Sequence, residues 1–292
     1  MAMERSPGTR TPAGQEPGAP LRPRRPRHLG PRILAALLAV FAAVVMMGLI
    51  DLGTLIGTSD PRYTWPVSLD VSWGALFTFQ LAGAYAWIAA RPHESLPALV
   101  QLVLSAGALA LGAAAGSALE PLWVALPVAA SAVLFARLLA RPRHRLRPAL
   151  RRPHWRFGAL AAVGVALWTP YVLSCLAVSR SAHEPYITNG IDHWPVQAAA
   201  GGALAASAVV LALFPQARPL LRSCTALSAA LIGVAMLAYP ERGGATESQL
   251  WAIAVVVWAV LVALTPPSRP RPVSALVASS ADGADEARDP RP

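Results

Sequence analysis

The sequence predicts an all-α integral membrane protein of eight transmembrane helices, arranged as two four-helix repeats in parallel orientation, and three observations carry that expectation. Apolar residues make up 55% of the 292-residue chain and charged residues 14%, with a mean hydropathy of +0.46. They fall in blocks about as long as a bilayer core requires, not in amphipathic stripes. Arginines cluster between alternate blocks, and short polar landmarks recur roughly 125 residues apart.

Residues 1–32 are rich in Pro, Gly and Arg without apolar periodicity and read as a disordered basic cytoplasmic tail. The apolar stretch that follows is longer than the h-region of a signal peptide and lacks a small-residue cleavage site, so it is read as the first membrane helix. Eight stretches are long enough to span: 33–56, 71–90, 97–118 and 122–140 in a first half (33–140), then 158–178, 196–215, 219–239 and 249–266 in a second (158–266). The third and fourth form one apolar run interrupted only by Glu120 and Pro121, a charge followed by a helix breaker, which favours a hairpin. Pro127 and Pro170 fall inside spans, where a proline kinks a helix and frees carbonyls that need other partners. Between the halves, residues 141–157 are too basic and proline-broken to form a domain. The tail 267–292 reads as disordered, acidic and small-residue-rich after Pro272.

All 25 basic residues are arginine, a bias that fits a high-GC bacterial genome. The formal charge of +10 does not indicate nucleic acid, because the arginines lie in short segments separated by apolar blocks and form no continuous basic surface. The lipid bilayer is the partner that such a distribution addresses. With both termini cytoplasmic, only Arg62, Arg180 and Arg242 lie outside, which fixes the expected topology as a multi-pass protein of the cell membrane. The two cysteines, Cys175 and Cys224, lie in apolar blocks and form neither a CxxC nor a zinc spacing. Opposite depths in the membrane keep them from pairing.

The repeat rests on landmarks in order. Arg27-His28 answers to Pro153-His154, and Asp60-Pro61-Arg62-Tyr63 with Trp65-Pro66 answers to Glu184-Pro185-Tyr186 with Trp194-Pro195. Ala90-Arg91-Pro92 matches Ala217-Arg218-Pro219, and Leu122-Trp123 matches Leu250-Trp251. An even number of spans per half gives both halves one orientation, related by an axis along the membrane normal.

That symmetry sets the candidate site. Equivalent outer loops then face each other, so Asp60, Tyr63, Trp65 and Asp70 from one half and Glu184, Tyr186, Asp192, His193 and Trp194 from the other line a shared outward vestibule. Its acidic and aromatic lining suits a cationic or amphipathic small molecule. Asp192 and His193 lead this set, at the point where the chain re-enters the membrane. An aromatic belt at the interface is the plainer account of the tyrosines and tryptophans. His183, Glu184, Asp192 and His193 are also zinc-ligand types, but their spacing matches no metal motif, and no metal or other cofactor is assigned.

Other chemistry is disfavoured. His28, His93, His144, His154, His183 and His193 all lie outside the expected spans, so a transmembrane bis-histidine haem has no ligands. Asp51, Arg137 and Arg222 touch spans only near ends from which they reach the interface, which argues against a midplane proton carboxylate. Gln80, Gln101, Ser105, Thr169, Ser174, Ser207, Thr225 and Ser228 sit deeper, as interhelical hydrogen-bonding groups, and Gln197 nearer an end. No P-loop, nucleotide fingerprint, GxSxG, HExxH or kinase set is present, and no residue is assigned as catalytic. The expected function is a transporter or sensor-like module with an outward ligand vestibule. A metal-dependent membrane enzyme and a structural or assembly partner are the alternatives, with any protein partner unspecified.

Overall fold

A computed structural model describes residues 28–57, 64–139, 155–181, 184–246 and 248–266. The two tails, most of the central basic linker, and Asp60, Tyr63 and His183 lie outside the described residues.

The chain is an all-α membrane bundle whose helices depart from straight rods at places unmarked by proline. Helix α1 (Leu29–Val40) widens into a π-helical segment, Phe41–Val45, and stops at Met46. Met47 takes φ +61°, a left-handed conformation that a side chain adopts only at some cost. The chain resumes as α2 (Gly48–Gly57), bent by 42° from the first segment. The carbonyls exposed at this break have partners: Trp73 Nε1 donates to Met46 O at 2.6 Å and Asn189 Nδ2 to Val45 O at 3.2 Å.

Next, α3 (Val67–Ala75), a second π-helical segment (Leu76–Ala82) and α4 (Gly83–Ala90) follow without interruption. A wide π turn misaligns the backbone ladder. Gln101 Nε2 meets it from α5 (Leu96–Gly116), donating to Phe79 O at 2.9 Å and Gln80 O at 2.6 Å. Ser117, at φ +59°, ends α5 before α6 (Leu122–Leu139), so the long apolar run is a hairpin. In the second half come α7 (Trp155–Ser179), a two-stranded hairpin of β1 (Ile187–Thr188) and β2 (Ile191–Asp192), α8 (His193–Leu213), α9 (Arg218–Ala238) and α10 (Gln249–Leu264).

The expected count of eight spans is not reached among the described residues. Five helices are long and apolar enough to cross a membrane, and six if the bent pair in 29–56 is one span. The expected span 71–90 is divided by its π segment into pieces too short to qualify alone, and α10 has 16 residues.

Close packing follows the small residues. A Cβ on Gly112 would lie 2.6 Å from Pro195 O, so α5 meets α8 almost backbone to backbone, and one on Gly116 would lie 2.7 Å from Ser179 Oγ, the α7 hydroxyl that donates to Gly116 O at 3.0 Å. Trp251 and Trp258, two turns apart on α10, donate their indole N–H groups to Leu167 O (2.9 Å) and Leu160 O (2.8 Å) on α7. Gly164 makes room for the Trp258 ring. Leu167 lies one turn before Pro170, which sits inside a continuous α7.

Helix neighbours recur in pairs. α5 lies on α6 as α9 lies on α10; α5 lies on α8 as α9 lies on α3; α1 and α2 lie along α3 and α4 as α7 lies along α8. Gln80 on the π segment donates to Ser228 on α9 at 3.2 Å, a hydrogen bond between halves. At the opposite end from the β-hairpin, arginines meet helix C-termini, where carbonyls lack partners and the helix dipole is negative. Arg32 Nε donates to Ala89 O (2.8 Å), Arg218 Nε to Leu211 O (2.7 Å) and Arg222 Nη1 to Thr265 O (2.8 Å).

Candidate functional site

The site forms at the hairpin end because two glycines let α2 and α3 touch. A Cβ on Gly74 would lie 2.7 Å from Gly48 O, and one on Gly48 would lie 2.7 Å from Thr78 Oγ1. Asp51 stands three residues after Gly48 and Asp70 four before Gly74, so the same contact sets the two carboxylates side by side. The third member comes from the other half. The hairpin turns at Asn189-Gly190, both at positive φ (+52° and +77°), a pair suited to a tight two-residue turn. It delivers His193 as the first residue of α8, with His193 N donating to Tyr186 O at 2.9 Å.

Asp51, Asp70 and His193 each offer a ligand atom within 4.8 Å of the others. Their residual exposures are 6%, 2% and 1%, a burial that is costly for three ionisable groups in one pocket. His193 Nδ1 lies 3.9 Å from Asp70 Oδ1, too long for a hydrogen bond. Neither ring nitrogen of His193 makes a hydrogen bond; backbone of Leu69 lies beside the ring without meeting the geometry of one. Asp51 Oδ2 and Asp70 Oδ2 are likewise unpartnered.

Packing fixes the imidazole. It stacks on Trp73 (centroids 4.5 Å, 16° between planes) and meets Tyr186 edge-on (4.7 Å, 69°). Trp73 is itself stacked on Phe77 and tied to the break in the first span. The Tyr186 hydroxyl is directed to Asp70. Burial, and then the neighbouring Asp70 and Asp51 carboxylates, hold the Tyr186 phenol well above its ordinary pKa, so it stays protonated and acts as a donor. The loop after α9 packs over the same region: Gly244, at φ +82°, sits against Leu69, and Gln197 Nε2 donates to Gly244 O at 2.8 Å.

The expected site residues are distributed unevenly. Asp70 and His193 come together, buried, with the half-buried Tyr186 beside them. Asp192 is half-buried at the end of β2, and Glu184 and Trp65 are exposed. Trp194 turns away to line a cavity of about 480 Å³ with Pro170, Tyr171, Cys175 and Trp251, which lies within the second half. That cavity reaches the cluster's helix through Tyr171 Oη and Ser72 Oγ, 3.0 Å apart. Of the four residues considered as zinc ligands, His193 alone enters a group of three or more such side chains among the described residues.

Asp51 corrects an expectation. It does not extend to the interface but turns inward against Asp70, because an aspartate side chain is too short to snorkel and the hairpin region covers it. Two features of the sequence point to this placement. Asn189-Gly190 is a strong hairpin pair, and a carboxylate one turn past a glycine is placed by whatever packs on that glycine.

Comparison with protein-family models, curated proteins and solved structures finds no match to the chain.

Proposed function

We propose that this protein is a transporter or sensor-like membrane module whose working centre is the Asp51–Asp70–His193 cluster at the junction of two four-helix halves. The observation that carries the reading is the convergence itself. Three ionisable side chains, from helices of both halves, are buried together with polar atoms left unpartnered. Such groups at membrane depth are costly and mark pathways or ligand sites.

The wider architecture is part of the same reading. The paired helix neighbours support a four-plus-four duplication, and the eight apolar stretches then give eight spans, two of them irregular. Broken helices near a repeat interface are where transporters place binding groups, and the Met46–Met47 break lies next to the cluster. The arginines at one end support cytoplasmic termini and an outward-facing hairpin. In this reading the vestibule is closed, with Tyr186 and the hairpin over His193.

The test is access. In a background with Cys175→Ala and Cys224→Ala, Thr54→Cys places a thiol one turn along α2 from Asp51, at a buried position. An impermeant methanethiosulfonate applied from the hairpin face should modify it slowly, and faster when Asn189→Ala removes the hydrogen bond to Val45 O. Modification from the opposite face only, or from neither, would overturn an outward-opening centre.

A further inference from the structure

We propose that Asp51, Asp70 and His193 bind one divalent first-row transition-metal ion; this deepens the reading of the same cluster as the working centre. Two carboxylates and one imidazole are a ligand set for zinc and its neighbours, being harder than thiolate sites and softer than the all-oxygen cages of calcium or magnesium.

The geometry distinguishes an ion from a direct acid–imidazole contact. Two donors bound at about 2.1 Å to a tetrahedral ion stand about 3.4 Å apart. The Asp70 Oδ1 to His193 Nδ1 separation is 3.9 Å, and all three donor atoms lie within 4.8 Å of one another. A hydrogen-bonded pair would have closed to less than about 3.2 Å. The Asp70–His193 pair is thus about 0.5 Å wider than in a loaded site and wider still than a collapsed one, and with all three donors within 4.8 Å the cluster closes by up to about 1.4 Å to hold an ion.

The independent observation is His193. An imidazole 1% exposed, with neither nitrogen at full hydrogen-bond geometry and only the backbone of Leu69 beside it, is under-satisfied unless something else occupies a ring nitrogen. Stacking on Trp73 and contact with Tyr186 hold the ring against rotation, so its orientation toward Asp70 is built into the fold. Two carboxylates beside it, each with an unpartnered oxygen, provide the charge that a dication needs. Tyr186, directed to Asp70, then plays the part of an outer-shell partner that orients a ligand. Three protein ligands leave a tetrahedral ion one open position, for water or a transported or sensed ligand.

Zinc is the probe. Full-length protein, purified in detergent and stripped with chelator, should take up one zinc per chain at equilibrium. Asp51→Asn, Asp70→Asn and His193→Gln should each weaken binding by more than about tenfold, the scale at which even outer-shell partners act, and Tyr186→Phe by about tenfold. Glu120→Gln, an exposed acid in the α5–α6 turn, should leave it unchanged. For the wild-type chain, X-ray absorption at the zinc edge should give a shell of about 2.0–2.2 Å oxygen and nitrogen donors with one imidazole. That measurement stands even if a variant does not fold. No stoichiometric zinc, or zinc held equally well by all four site variants, overturns the metal assignment. If Thr54→Cys is still modified from the hairpin face, the working-centre reading survives without the metal; if zinc binds and that thiol is inert, the reverse holds.

Discussion

Adjacent glycines in α8 should respond oppositely to the same substitution. A Cβ on Gly201 would lie 2.8 Å from Tyr171 Cδ1 and 3.0 Å from Val172 Cγ2, whereas one on Gly202 meets nothing within 4 Å. In both Gly201→Ala and Gly202→Ala the helix gains about 1 kcal/mol from replacing glycine in its interior. Only at Gly201 must a neighbour move, by about 0.6 Å to reach ordinary contact. Tyr171 is poorly placed to yield: its hydroxyl lies 3.0 Å from Ser72 Oγ, it stacks on Trp251 at 5.2 Å, and it is edge-on to Trp168 at 5.4 Å. Overpacking of this kind costs about 1–3 kcal/mol. Gly202→Ala is therefore expected to be neutral or stabilising by up to about 1 kcal/mol, and Gly201→Ala destabilising by about 0–2 kcal/mol. Because the propensity gain cancels between neighbours, the difference of about 1–3 kcal/mol isolates the packing cost. Equilibrium unfolding in mixed micelles, followed by circular dichroism, measures both. Equal shifts in the two variants would refute the placement of α8 against α7.

Cys175 and Cys224 are free and buried, so the monomer should migrate identically on gels with and without reductant; a reductant-sensitive shift would contradict their placement. Arg218→Gln removes hydrogen bonds to Leu211 O and Ala212 O and the guanidinium face over Phe157. A loss of about 1.5–3 kcal/mol in the same unfolding assay is expected, the range for hydrogen bonds from a charged donor. Neutralising the arginines of the basic linker between the halves should misorient α7 in part of the molecules, read by reporter fusions after Phe157. Fusions that stay wholly cytoplasmic would show that another segment sets the topology.

The membrane class and the positions of the helices were legible in the sequence because a bilayer demands uninterrupted apolar length, which is a local property. The α5–α6 hairpin was legible for the same reason, through Glu120 and Pro121. The breaks were not. Neither π segment contains proline, and the left-handed residue at the first break is Met47; the partners that tolerate these irregularities, Trp73, Gln101 and Asn189, lie far along the chain. Site residues divided along the same line. Asp70, Tyr186 and His193 stood out as polar groups beside spans. Their burial depends on α3 meeting α8, more than 100 residues along the chain, and the recruitment of Asp51 depends on the Gly48–Gly74 contact between α2 and α3; no local pattern records either. The expected duplication brings the two loops together, and among the described residues the meeting involves the first turns of α3 and α8 with Tyr186 beside them.

The most direct test of the central claim, that Asp51, Asp70 and His193 form one cation centre, is an anomalous difference map at the zinc edge from crystals of the full-length chain grown with zinc. The account predicts a single strong peak per chain, within bonding distance of all three side chains and about 2.0–2.2 Å from each donor. A map with no peak there, or with zinc only on the exposed acids of the hairpin end while Asp51 and Asp70 close directly on His193, would contradict it.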